Sequence, residues 1–172
     1  MDFGKLDDIT SVDFSLPTTR FVCFGSSGAD AQSPPRLYIG PPVWANRQWV
    51  GKLYPSNTKE SSFLEQYARQ FNTIELNVTH YQVPTEATIK RWIAATPSHF
   101  RFCPKWPQAI SHDAQLRAVT GLAQQFMAAV SLLGERLGTT FLQLGPTFGP
   151  KQLPDLERFL EILPVGFPMA VE

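Results

Sequence analysis

Thr73-Ile74-Glu75-Leu76-Asn77 is the stretch on which the fold turns. A strand sends successive side chains to opposite faces, so Ile74 and Leu76 share one face while Thr73, Glu75 and Asn77 share the other. Three more runs sort by the same parity. Phe100 and Phe102 oppose Arg101, Cys103 and Lys105; Leu142 and Leu144 oppose Phe141 and Gln143; Met169 and Val171 oppose Ala170 and Glu172. A short run at Leu37–Gly40 precedes them. Strands of an open parallel sheet covered on both sides read as continuous apolar runs, and these do not. A closed barrel explains the difference: the apolar parity packs under outer helices, and the polar parity faces the axis and the mouth.

Between the strands lie helical patterns. Residues 59–71 carry Phe63, Leu64, Tyr67 and Phe71 at helical spacing after a polar Ser56-Asn57-Thr58 cluster. A second helix follows Pro84 with Thr85 as its cap, buries Ile89, Trp92 and Ile93, and stops before Pro97. A third places Leu116, Val119, Leu122, Phe126, Val130, Leu133 and Leu137 in one stripe ended by Gly138. The fourth, residues 153–163, presents Leu156, Phe159, Leu160 and Leu163. Strand starts recur roughly every 25 to 40 residues, as βα units require. The expected fold is therefore the amino-terminal half of a TIM (β/α)8 barrel, four βα units and a fifth strand over residues 37–172. Such barrels normally run to about 250 residues, so the sequence reads as a fragment. Residues 1–36, with Pro17, Gly25, Gly28, Pro34 and Pro35, read as an irregular arm.

Composition narrows the function classes. The 172 residues carry zero formal net charge and no run of like charges, so nothing points to nucleic acid or an anionic membrane. The two cysteines, Cys23 and Cys103, form no Cys-x-x-Cys pair and read as reduced thiols. No signal peptide or membrane-length apolar run is present, which predicts a cytoplasmic protein. Asn77-Val78-Thr79 fits the glycosylation pattern but lies on a strand end without a secretion signal.

Active sites of barrels sit at the carboxyl ends of the strands, and Glu75, Asn77, Lys105, Gln143 and Glu172 lie there. Glu75 and Glu172 are inward carboxylates whose pKa values could separate into acid and base roles; the structural alternative is an ion-pair layer with Arg101 and Lys105. Lys105 is suited to an anion or, desolvated, to base chemistry, and its alternative is pairing with Glu75. His112, in the loop after the third strand, suits proton transfer. Adjacent residues seldom converge, so Ser111-His112-Asp113 is not read as a triad. His80 with Glu75 and His112 follows no tight metal-ligand spacing, so no metal site is assigned, and no cofactor is named. Trp44, Trp49, Tyr54 and Tyr81 could line a pocket for a ring-shaped or sugar-like ligand, or pack in core and loop. Trp92 reads as core. Gly145–Pro150 lacks a phosphate-loop lysine and reads as a loop.

The residues quoted so far, taken in order, resemble the YecE-like family of bacterial and archaeal proteins, domain of unknown function 72. Tyr38-Ile39-Gly40, Trp44, Trp49, Gly51 and Tyr54-Pro55 are similar to its opening pattern. Tyr67-Ala68, Phe71 through Asn77 and Thr79-His80-Tyr81 are similar to its most characteristic stretch. Trp92, Thr96-Pro97, Phe100-Arg101-Phe102, Lys105, Ile110-Ser111-His112, Phe141-Leu142-Gln143-Leu144 and Val171-Glu172 continue it. Phe3-Gly4-Lys5 and Val12 through Pro17 resemble the lead-in of members from Bacteroidetes. The resemblance implies a TIM barrel and supplies no reaction. Three positions depart from the pattern: Pro41-Pro42-Val43 replaces a small hydroxyl-bearing turn, His80 stands where Phe is usual, and the arginine after the fifth-strand glutamate is absent.

Three functional expectations follow. The leading one is a mouth that binds a small polar ligand, sugar-like or anionic, with Glu75 as base aided by Lys105, His112 and Glu172, and with Trp44, Asn77, Tyr81 and Gln143 contacting the ligand. The second is a non-catalytic binding or scaffold protein whose polar residues form a buried network. The third, a metal-dependent hydrolase or isomerase, rests on fold analogy. The oligomeric state is open.

Overall fold

Residues 36–172 are described by a computed structural model, and the arm with Cys23 lies outside the described residues. The fold is mixed α/β with short parallel strands. Strands β1 (Thr73–Leu76) and β2 (Arg101–Pro104) pair in parallel with Ile74 opposite Phe102 and Glu75 opposite Cys103. Strands β3 (Thr140–Leu142) and β4 (Met169–Val171) form a second parallel pair with Phe141 opposite Ala170. Single parallel bridges, Phe102 to Leu137 and Lys105 to Phe141, join the two pairs through β2 and β3. Neighbours in sequence are thus neighbours in space, the order βα units produce.

The expected parity holds in the first three strands and fails in β4, where Val171, assigned to the apolar face, is exposed and Met169 only half-buried. Ile74, Leu76, Phe102 and Leu142 are at most 1% exposed, whereas Thr73, Arg101, Cys103 and Phe141 are half-buried and Glu75 is exposed. The covered face receives α1 (Phe63–Gln70), α3 (Glu86–Ala94), α4 (Thr120–Ser131) and α5 (Leu153–Glu161), with a short α2 (Val78–Tyr81) directly after β1. Helix α3 starts where expected, the Thr85 hydroxyl accepting from the Thr88 N–H.

Four further expectations need correction. Leu37–Gly40 joins no ladder. The Asn72 side chain substitutes for a strand partner, accepting from the Ile39 N–H and donating to the Leu37 carbonyl, both at 2.8 Å. Pro41 and Pro42, which follow, have no N–H to give a sheet. The Ser56-Asn57-Thr58 cluster does not cap α1, whose entry is a 3-10 turn at Glu60–Ser62. The third helix is shorter than its stripe. Leu116 and Val119 are buried ahead of it, Leu122 is 45% exposed, and a π-helical turn at Ala109–Asp113 leads into left-handed backbone at Gln115, Leu116 and Ala118. Periodicity recorded burial there rather than helix. Leu160, assigned to a buried stripe of α5, is exposed, and the buried positions of that helix are Asp155 and Phe159.

Trp106 organises one side of the core. Its ring is fully buried, 4.6 Å from Phe126 and 5.1 Å from Phe159 between ring centres. Its indole N–H donates to the Thr140 hydroxyl at 3.1 Å, and that hydroxyl donates to the Pro168 carbonyl at 2.8 Å. One relay thus ties the end of β2 to β3 and to the approach of β4. On the other side Tyr67 is fully buried, its hydroxyl 2.8 Å from the carbonyls of both Pro41 and Thr73. A phenol has one proton for these two acceptors. Burial, with a smaller contribution from Tyr54, raises the Tyr67 pKa and keeps that proton in place.

Candidate functional site

The register puts Glu75, Cys103, Lys105, Phe141, Gln143, Ala170 and Glu172 on one face, opposite the buried parity. Along the strands these positions advance toward the carboxyl ends. The polar side chains at these ends and in the segments that follow them form three groups.

Glu75 and Asn77 form the first. The Asn77 side-chain amide donates to a Glu75 carboxylate oxygen at 3.0 Å. Both line a cleft of about 430 Å³ together with Trp44, Val43 and Trp92. The Trp44 ring meets Trp92 edge-on at 6.1 Å. The cleft thus combines a carboxylate, an amide and indole surface. Trp92 is both core, at 8% exposure, and a wall of the cleft. Trp44 reaches it because its own carbonyl is held by the Tyr54 hydroxyl at 2.8 Å and because the Pro41 carbonyl is held by Tyr67. Burial pushes the Tyr54 pKa up to about 12, so this anchor stays protonated at any physiological pH.

Lys105 and Gln143 form the second group. The Lys105 ammonium donates to the Gln143 side-chain carbonyl at 2.5 Å and lies 5.6 Å from the centre of the Phe141 ring. The expected ion-pair layer is not what holds these residues. The ion pairs of the described residues are Arg47 with Glu60, Arg69 with Glu65, Lys90 with Glu86, and Arg117 and Arg158 with Asp155. Glu75, Arg101 and Lys105 take no part in them, because a neutral amide partners each of Glu75 and Lys105 instead.

The third group is a histidine pair. His80, on α2, is buried and its Nδ1 lies 2.8 Å from the Trp106 carbonyl, which makes that nitrogen the donor and leaves Nε2 as the acceptor in the neutral ring. The His112 ring stands edge-on to it at 5.2 Å. Desolvation first, then His80 and Lys105, press the His112 pKa below its ordinary 6.5, while Asp113 opposes them. The nearest atom to a Cβ at Gly145 would be His112 Cδ2 at 3.4 Å, so the loop after β3 closes against this ring. Contrary to expectation, Ser111 and His112 do meet, with Oγ 2.8 Å from Nδ1. The contact is no triad, since the Asp113 carboxylate accepts from Gln108 instead of from His112.

Other expected site residues fall elsewhere. Tyr81 is 79% exposed and packs on His80, outside the cleft. Trp49 and Tyr54 pack with Tyr67 and Phe63 in the core. Glu172 is exposed; its backbone extends the β3–β4 pairing, its N–H donating to the Leu142 carbonyl and its carbonyl accepting from Leu144. Cys103 is a free thiol whose pKa is raised by burial, which makes it a poor nucleophile. The structure brings His80 and His112 together, but among the described residues no set of three His, Cys, Asp or Glu side chains is gathered that could hold a metal ion. No helix of the described residues is long and apolar enough to cross a membrane. Sequence reasoning missed Val43 and undervalued His80. The signal for His80 was its place three residues after Asn77, one turn along a helix beginning at the strand end.

Residues 38–172 match the family model described as protein of unknown function DUF72. Over 136 residues, 79% of this chain, the sequence is 43% identical to the UPF0759 protein YecE of Escherichia coli strain K12 and covers 47% of it. It is 27% identical over 75 residues, 44% of this chain, to the UPF0759 protein YunF of Bacillus subtilis strain 168, covering 26% of that protein. Among solved structures, a DUF72 family protein from Thermotoga maritima MSB8 superimposes with a TM-score of 0.62 at 27% identity, covering 78% of this chain and 54% of that one. One from Enterococcus faecalis V583 superimposes with a TM-score of 0.63 at 22% identity, over 78% and 49% of the two chains, a likeness of fold alone. The chain therefore spans about half the length of the first relatives it matches. With the parallel strand order and the family match over most of its length, the chain belongs to the family of proteins of unknown function DUF72.

Proposed function

We propose that the described strands are the first part of a TIM-type barrel and that its mouth binds a small polar, sugar-like ligand beside Glu75. The observation that carries this reading is the cleft of about 430 Å³ in which Glu75 and Asn77 share a wall with Trp44 and Trp92. A carboxylate and an amide accept and donate to hydroxyl groups, and indole faces cover the apolar C–H surface of a ring. Glu75 is exposed and engaged only by Asn77 among the described residues, which leaves lone pairs to take a ligand proton. His112, held below its ordinary pKa, is neutral near pH 7 and suited to accept a second proton. Lys105 supplies positive charge on the same face. A free thiol at Cys103 fits work in the reducing cytoplasm.

A second reading has its own observation. Lys105 is already satisfied by Gln143, and the Thr79 hydroxyl lies within 2.8 Å of the Leu76 and Lys105 carbonyls, a network that fixes strand ends without any ligand. Thermal stabilisation across sugars, phosphorylated sugars and nucleotides separates the two. A ligand at a hundred times its Kd adds about 2.7 kcal/mol to stability. A shift lost in both Glu75→Ala and Lys105→Ala supports the ligand site; no shift from any compound, with both variants strongly destabilised, supports the scaffold.

A further inference from the structure

A second cavity, of about 820 Å³, opens between the start of α4 and α5, away from the residues of the proposed mouth. We propose that it binds a phosphate group carried on an apolar body. Its floor is apolar, from Val119, Phe159 and Ile162, and its rim is cationic, from Arg117, Lys151 and Arg158. Asp155 is the key to the rim. That side chain is buried, and its two oxygens are divided between the arginines, Oδ2 accepting from Arg117 Nε at 2.9 Å and Oδ1 from Arg158 Nη2.

A guanidinium has five N–H donors, and among the described residues each of these arginines spends one, on Asp155. Both side chains remain mostly exposed, at 60% and 71%. The carboxylate therefore fixes two forks at the cavity while leaving most of their donors open. Arranging those forks in advance removes part of the ordering cost of binding an oxyanion. Among the described residues Lys151 has no ion-pair partner. Three cations against Asp155 and Glu161 leave the lining with an excess of positive charge.

The backbone adds donors. Helix α4, twelve residues long, begins at Thr120 without a side-chain cap, and Val119 and Thr120 line the cavity. Its first N–H groups lack partners inside the helix and favour an anion. A purely structural clamp accounts for Asp155 and the arginines. It does not account for the added lysine, the uncapped helix start or the apolar floor between them.

The test is a titration followed by amide NMR, with inorganic phosphate and phenyl phosphate at ionic strength held constant with chloride. The proposal expects saturable shifts at Thr120 and Gly121, tighter binding of phenyl phosphate, and affinity reduced at least about tenfold in a Lys151→Gln/Arg158→Gln variant, whose changes are at exposed side chains. Shifts that chloride reproduces, or equal affinity in the variant, overturn it. Sedimentation with phosphatidylcholine vesicles containing phosphatidic acid identifies the source. Co-sedimentation lost in the same variant assigns the phosphate to a lipid, and phenyl phosphate binding without co-sedimentation assigns it to a soluble ligand.

Discussion

Gly40→Ala tests whether the Pro41–Trp44 loop is held over the cleft by close backbone approach. A Cβ at Gly40 would sit 1.9 Å from the Thr73 carbonyl oxygen and 2.4 Å from the Tyr67 hydroxyl. Carbon and oxygen do not approach so closely, so the segment must move by on the order of 1 Å. That movement loosens the Asn72 clamp on Leu37 and Ile39 and the Tyr67 to Pro41 bond. Two or three hydrogen bonds at about 1 kcal/mol each, with about 1 kcal/mol or more for overpacking, give a loss of about 3 to 5 kcal/mol. Urea unfolding followed by tryptophan fluorescence reads this as a lowered midpoint at constant slope. Gly121→Ala, where a Cβ meets nothing within 4 Å, is the control and is expected to be neutral or slightly stabilising. A loss below about 0.5 kcal/mol for Gly40→Ala, within the ordinary surface range, refutes the reasoning.

Trp106→Ala should cost about 3 to 5 kcal/mol in the same assay, and Thr140→Val less, because it removes only the hydroxyl that joins Trp106 to Pro168; equal losses would discount the ring packing. Glu75→Gln should change stability by less than about 0.5 kcal/mol yet abolish any ligand-induced thermal shift, since Glu75 is exposed and has an amide partner. His112 has a folded pKa below its unfolded value, so its contribution is present above pH 6.5 and declines as pH falls through that value. His80→Phe should raise the His112 pKa only part of the way back in an NMR titration, because desolvation is the larger cause; full recovery would reverse that order.

What the sequence disclosed was mostly parity. Ile74, Leu76, Phe102 and Leu142 are buried and Glu75, Lys105 and Gln143 share the other face because a strand's backbone sends alternate side chains to opposite sides. Val171 in β4 follows the same alternation without being covered. Asn77 was named from its place at a strand end and Trp44 from the aromatic set Trp44, Trp49, Tyr54 and Tyr81, and the structure places these two in the wall of one cleft. Partner choice was not legible. Charge alone joined Glu75 to Lys105, but each is met by an amide, Asn77 and Gln143. Leu116 misled because an apolar residue in left-handed backbone contributes to a stripe as well as one in a helix. Asp155 escaped because a buried carboxylate is recognisable only once Arg117, distant in sequence, is seen beside it.

His80, where the family resemblance implies Phe, bears most directly on the proposed acid and base chemistry. A Phe there would fill the same space against His112 but could not donate to the Trp106 carbonyl, so the imidazole adds a fixed tautomer to a packing position. Fixing Nδ1–H leaves Nε2 as a proton acceptor next to a second ring whose own pKa is lowered. Both rings sit where α2 and the π-helical turn leave their strands, the same ends that carry Asn77 and Lys105. Proton-accepting nitrogen is therefore concentrated at the ends of β1 and β2, while the carboxylate of Glu75 lies one step behind on the same face. If the mouth performs acid and base chemistry, this chain has placed its two imidazoles and its carboxylate at the ends of two adjacent strands. Substituting His80 with Phe should then shift the acid limb of any pH profile, whereas in a purely structural network it would move stability alone.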